Sequence, residues 1–115
     1  MLLLSNNASL DSRDNKGNTP LLLALENKYP DVALAFLQGN RDYIRIKDSI
    51  RMANYEGWTA LHFAVADELE SIFYWLLRYD ADPDARTIEG KLPLDLALKR
   101  GNRKFAEVLG PITRL

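Results

Sequence analysis

Few side chains in this sequence could carry chemistry, and their spacing argues against it. His62 is the only histidine and there is no cysteine. A zinc site, or a thiol or hydroxyl nucleophile paired with an imidazole base, therefore lacks its usual members. His62 falls three residues after Thr59, where a helix is expected to begin. It reads as a hydrogen-bonding brace of that first turn, by analogy with a capping box, rather than as a catalytic or metal-binding group. Asp80, Asp82 and Asp84 alternate like the first ligands of a calcium loop, but the glycine and the distal bidentate glutamate of such a loop are missing. They read as turn chemistry. The glycines stand singly, so no phosphate cradle is present. Asn7-Ala8-Ser9 fits a glycosylation acceptor, a triplet that chance produces often. No catalytic residue, cofactor or metal ligand is expected, and the chain reads as a non-enzyme.

The alternative to catalysis is binding, and composition narrows the partner class. The 115 residues are enough for one domain, 47% hydrophobic and 27% charged, with a net charge of −1. No global basic field exists to recruit nucleic acid. The apolar runs Leu2–Leu4 and Leu21–Leu25 are far too short to cross a bilayer. Ser5-Asn6-Asn7 ends the first run and no basic segment precedes it, so it does not read as a signal peptide. A cysteine-free chain fits a cytoplasmic or other intracellular location.

What would position a binding surface is internal repetition. Three stretches align: Asp14-Asn15-Lys16-Gly17-Asn18-Thr19-Pro20-Leu21-Leu22-Leu23-Ala24-Leu25, then Asn54 to Val65, then Thr87 to Leu98. Gly57 and Gly90 lie 33 residues apart, and Gly17 and Gly57 lie 40 apart. A second pattern, Asn7-Ala8-Ser9-Leu10-Asp11-Ser12-Arg13 over Asp80-Ala81-Asp82-Pro83-Asp84-Ala85-Arg86, recurs at the sum of those two offsets. Each unit reads as a turn and two antiparallel helices. Gly17, Gly57 and Gly90 supply the turn position of positive φ. Thr19 and Thr59 stand at the N-cap, and Pro20 and Pro93 at the first helical position. Leu21, Ala24 and Leu25 recur at i, i+3, i+4, as do Leu61, Ala64 and Val65, and Leu94, Ala97 and Leu98. Second helices follow with Val32, Ala33, Phe36 and Leu37, with Ile72, Phe73, Leu76 and Leu77, and with Phe105, Ala106, Val108 and Leu109. Such short helices are not stable alone, and each unit buries its face only against the next.

Thr59-Ala60-Leu61-His62-Phe63-Ala64 resembles the Thr-Pro-Leu-His-x-Ala run of the ankyrin repeat. Thr19-Pro20-Leu21-Leu22-Leu23-Ala24 keeps all but the histidine, and Leu92-Pro93-Leu94-Asp95-Leu96-Ala97 loses both the threonine and the histidine. Asp80-Ala81-Asp82 and Asn7-Ala8-Ser9 resemble the family's Gly-Ala-Asp turn. The resemblance implies an all-α, ankyrin-type helical repeat solenoid of turn–helix–helix units, about three repeats plus a partial amino-terminal one. The expected divisions are 1–13, the tail of a partial repeat; 14–53, a repeat with an insertion near 40–53; 54–86, a repeat; and 87–115, a carboxy-terminal capping repeat.

Three departures carry expectations of their own. The insertion mixes Arg and Lys with Tyr43, Ile44, Ile46, Ile50 and Met52. It reads as a longer second helix, as a loop whose apolar residues pack on the stack, or as a binding loop. Leu92 offers no hydroxyl cap, so a looser helix start is expected there. Leu2, Leu3 and Leu4 sit where a second helix would end, and self-association through that amino-terminal edge is expected.

In function, the resemblance implies a non-catalytic protein–protein interaction module, a free-standing or scaffold-borne unit with a protein partner. The competing reading is an architectural or regulatory segment of a larger enzyme, channel or secreted effector, in the last case acting in a host cytosol. Carried onto this chain, the family's concave binding surface falls on turn tips and exposed first-helix positions. The protein-binding candidates are Lys16, Asn18, Tyr55, Glu56, Trp58, Asp67, Lys91, Lys99 and Arg100. Tyr55 and Trp58 stand out, because aromatics on a tip have little core to join and are common interface anchors; packing of Trp58 flat on a neighbouring turn is the alternative. Charge is uneven along the chain: residues 54–86 carry two basic side chains against seven carboxylates, and residues 87–115 carry six against three. Lys99-Arg100-Gly101-Asn102-Arg103-Lys104 reads as a solvated capping face, with a patch for a phosphate or acidic partner as the alternative.

Overall fold

The computed structural model describes residues 12–39 and 42–114. Among them are seven α-helices and no strand: α1 (Pro20–Glu26), α2 (Pro30–Gly39), α3 (Tyr43–Ile50), α4 (Ala60–Ala66), α5 (Glu70–Arg78), α6 (Pro93–Arg100) and α7 (Arg103–Leu109), closed by a 3-10 turn at Gly110–Ile112. The expectations for Leu2, Leu3 and Leu4, for the Asn7–Asp11 turn and for the amino-terminal edge lie outside the described residues.

The helices form two layers. The first helices α1, α4 and α6 pack side by side in that order, and α2 packs on α5 behind them. Leu21, Leu25, Ala60, Leu61, Ala64, Val65 and Ala97 are buried between the layers with Ala33, Phe36, Leu37, Phe73 and Leu76. Phe73 of α5 stacks on Phe105 of α7 with centroids 4.0 Å apart, carrying the core into the last unit. The recurring alanines explain the close approach, because a methyl group at Ala24, Ala64 and Ala97 leaves room for a neighbouring helix backbone. Two positions expected on this face are exposed. Leu98 has the register of Leu25 and Val65, yet it is 61% exposed because no described helix packs on the far side of α6. Val32 is exposed on the outer side of α2.

Helix starts follow the sequence signals. Thr19 Oγ1 accepts from Leu22 N–H at 3.3 Å, and Pro20 follows at the first helical position. Thr59 and His62 form a reciprocal box, with His62 Nδ1 accepting from Thr59 N–H at 3.1 Å and Thr59 Oγ1 accepting from His62 N–H at 3.4 Å. At α6 the missing hydroxyl is half compensated: Asp95 Oδ2 accepts from Leu92 N–H at 2.8 Å.

The segment expected as an insertion contains α3, a separate two-turn helix. Asp42 caps it by accepting from Arg45 N–H. Its inner side buries Ile46, Ser49 and Ile50, and its outer side leaves Tyr43 and Ile44 exposed. Tyr43 lies 5.4 Å from the ring of Tyr79, whose hydroxyl donates to Leu37 C=O, and Lys47 pairs with Asp80 at 3.2 Å. The apolar residues of this segment thus divide between packing and exposure.

Candidate functional site

Each unit opens with a turn built on a side-chain oxygen. Asp14 Oδ1 accepts from the N–H groups of Lys16 and Asn18, and Asn54 Oδ1 accepts from those of Glu56 and Trp58. Thr87 Oγ1 does the same for Lys91 N–H. The N–H of Asn18 is the first cause holding the Asp14 carboxyl below its ordinary value, with Lys16 adding to it. Gly17, Gly57 and Gly90 take φ of +80°, +81° and +81°. Two of them also leave space that a neighbour fills: a Cβ on Gly17 would stand 2.5 Å from the Tyr55 ring, and one on Gly57 would stand 2.8 Å from Thr87 Cα.

Successive turns are joined through their backbones. Tyr55 N–H donates to Lys16 C=O at 3.0 Å, and Ile88 N–H donates to Glu56 C=O at 2.9 Å. Arg13 spans the first junction, donating to the carbonyls of Gly17 and Ala53, and Arg86 holds its own turn through Gly90 C=O. His62 joins the second and third units from inside. It is fully buried, and its Nε2 lies 2.9 Å from Lys91 C=O. Because Nδ1 accepts from Thr59 N–H, Nε2 carries the proton and donates. Burial pushes the His62 pKa below its usual 6.5, against the opposing pull of Lys91 C=O and the Asp82 charge, so the ring is neutral near neutral pH. With both ring nitrogens engaged inside the protein, the imidazole is a structural brace.

The result is a row of tips with a cleft at each junction. Asn15, Lys16, Glu26, Asn54, Tyr55 and Glu56 line the first cleft. Glu56, Trp58, Thr87, Ile88 and Glu89 line the second. Tyr55 is 63% exposed and Ile88 75%. Trp58 is half-buried: its ring lies 5.0 Å from Phe63 and 5.6 Å from His62, so it packs against its own helix, and it shares the second cleft with Thr87, Ile88 and Glu89 of the neighbouring turn. Lys16 pairs with Glu26 across 3.5 Å.

The nine candidate residues do not form one surface. Lys16, Tyr55, Glu56 and Trp58 line the tip clefts, and Lys91 is exposed on the third tip. Asp67 and Arg100 line a separate recess at the other ends of the first helices, where Asp67 is bonded to Lys28 at 2.9 and 3.0 Å. Lys99 is exposed on the last turn of α6. Asn18 is a correction. It is 2% exposed, and its side-chain amide donates to Glu26 at 2.9 Å while its oxygen accepts from Asn54 at 3.1 Å. It ties two turns together and presents nothing outward. Sequence reasoning missed the turn-building oxygens of Asp14, Asn54 and Thr87, although all three stand three residues before their glycine. Among the described residues, no group of three or more His, Asp or Glu side chains could hold a metal ion. Nor is any helix there long and apolar enough to cross a membrane.

Turns linked edge to edge, each followed by two antiparallel helices that stack on the next pair, define a helical-repeat solenoid. Residues 56–88 match the family described as Ankyrin repeat. The chain is 33% identical over 113 residues to the mouse B-cell lymphoma 3 protein homolog, an alignment covering 94% of this chain and 24% of that protein. It is 31% identical over 92 residues to human Ankyrin repeat and SOCS box protein 3, covering 80% of this chain and 17% of that protein. The chain is an ankyrin-repeat protein, and it spans a quarter or less of the length of these two relatives.

Proposed function

We propose that this chain is a non-catalytic protein-binding module whose partner lies along the turn tips and the adjoining face of the first helices. The observation that carries the proposal is the tip row itself. Tyr55 and Ile88 are exposed, and the half-buried Trp58 turns part of its ring to the cleft, on a frame whose turns are already saturated with hydrogen bonds, so the exposed apolar surface is not needed to hold the turns. The engagement of both ring nitrogens of the only histidine supports the absence of catalysis. We further propose that the units divide as 14–53, 54–86 and 87–115, the last with a solvated basic outer face. An intracellular location is part of the same reading and is supported by the cysteine-free sequence.

The test is an affinity capture with the native chain against Trp58→Ala and Tyr55→Ala, followed by titration of the captured partner. Each variant is expected to weaken binding by about 2 kcal/mol, a loss typical of an interface anchor. Equal capture and equal affinity for both variants would place the partner surface elsewhere.

A further inference from the structure

The two tip clefts are built alike but charged differently, and the repeat provides its own control. Lys16, Glu56 and Glu89 occupy the same position of successive turns, one residue before each glycine. In the first cleft Lys16 faces Glu26 and Glu56, and it already pairs with Glu26. In the second cleft Glu56 and Glu89 form the walls with no basic side chain in the lining. Among the described residues, neither carboxylate makes a hydrogen bond or ion pair; the bonds at Glu56 are backbone bonds. Between them stand Trp58 and the exposed Ile88. One side of the indole packs on its own helix against Phe63, while its remaining surface lines the cleft.

We propose that this second cleft receives a cationic side chain, arginine or lysine, from an extended segment of the partner protein. The inference rests on the tip-binding reading and gives its partner a chemistry. Two carboxylates held apart on rigid turns, beside an indole, match a planar or compact cation. The carboxylates supply charge on either side, and the aromatic surface supplies cation–π attraction and covers the aliphatic stem. A guanidinium gains most, since it can stack on the ring while its N–H groups reach both walls. An acidic segment would meet two charges of its own sign in a cleft lined by no basic side chain, which sets discrimination as well as affinity.

The probes are two acetylated and amidated hexapeptides of Gly and Ser, one carrying two arginines and the other two glutamates. Each is titrated into the isotope-labelled chain and followed by the indole N–H of Trp58 and the backbone N–H groups of Ile88 and Glu89. The arginine peptide is expected to shift these signals saturably, and the glutamate peptide to leave them in place. The double change Glu56→Gln with Glu89→Gln should weaken the arginine peptide by roughly fivefold or more and remove most of its salt dependence. The substituted side chains hold no bond to another described residue, and an unchanged spectrum elsewhere confirms the fold. Lys16→Glu should add a second site at the first cleft, seen as new shifts at Tyr55. Equal binding of both peptides, no shift at Trp58 at millimolar peptide, or indifference to the double change would each overturn the proposal. Titration of the captured partner separates this failure from that of the broader reading. A partner lost with Trp58→Ala but unaffected by the double change leaves tip binding standing and removes the cation.

Discussion

His62→Leu should isolate the link between the second and third units. Leucine roughly conserves the buried volume while removing both ring nitrogens. Thr59 is buried, and its N–H loses the Nδ1 acceptor 3.1 Å away; an orphaned buried donor costs about 1–3 kcal/mol. Lys91 C=O loses the Nε2 donor but keeps the N–H of Thr87 at 3.0 Å, so that loss is only the net worth of a hydrogen bond, about 0.5–1.5 kcal/mol. Together the variant should be less stable by about 2–4 kcal/mol, a large part of the roughly 5–15 kcal/mol that holds a domain folded. The pH dependence has a definite sign. Burial lowers the folded-state pKa below the usual 6.5, so the folded chain binds the proton less readily than the unfolded chain. The contribution is therefore fully present above 6.5 and is lost as pH falls through the lowered folded value. Urea melts followed by circular dichroism at about pH 8 and about pH 5 test both statements, because carboxylate effects are common to the two proteins. The stability gap between native and variant should narrow toward acid. A gap below about 0.5 kcal/mol at the higher pH, or one that is constant or grows toward acid, would refute the assignment of His62 as a neutral inter-unit brace.

Two further perturbations probe the scaffold. Gly17→Ala should cost about 1–2 kcal/mol from positive φ alone, and it should also displace the Tyr55 ring, read as a changed tyrosine ring spectrum beside an otherwise native one. Leu61→Ala opens a cavity between the layers and should cost about 2–5 kcal/mol, whereas Leu98→Ala, on the open side of α6, should cost no more than about 0.5 kcal/mol. Equal costs for the two leucines in a denaturant melt would mean that α6 is covered in solution.

Much of the fold was legible because the signals are local. A glycine of positive φ before each first helix, a threonine cap at α1 and α4, and a proline at the start of α1 and α6 act within a few residues, and they mark these helices without knowledge of the rest. The role of His62 was legible for the same reason: half of its bonding is to a residue three positions away. Its reach to Lys91 was not, because that carbonyl lies in the next unit. The fate of Asn18 was hidden likewise, since a polar residue beside a turn glycine looks exposed until Asn54 and Glu26 are known to converge on it. Leu98 has the same helical register as two buried residues, and periodicity alone cannot say whether a described helix covers it. The insertion was the least legible. Its apolar residues fit packing on the stack and also a binding loop, and α3 both packs and exposes them. The charge contrast between the clefts was present in the sequence as Lys16, Glu56 and Glu89, but it acquires meaning only when the junctions bring them together in pairs.

The amide-to-carbonyl bonds between tips have a consequence for how such a surface changes over time. Tyr55 N–H to Lys16 C=O and Ile88 N–H to Glu56 C=O use no side-chain atom. Asn15, Tyr55 and Ile88 share one turn position yet differ in size and polarity. The frame therefore accepts nearly any vocabulary at its outward letters while the grammar of glycine, threonine and alanine beneath stays put. A lineage can rewrite what these tips recognise one residue at a time without passing through an unfolded ancestor.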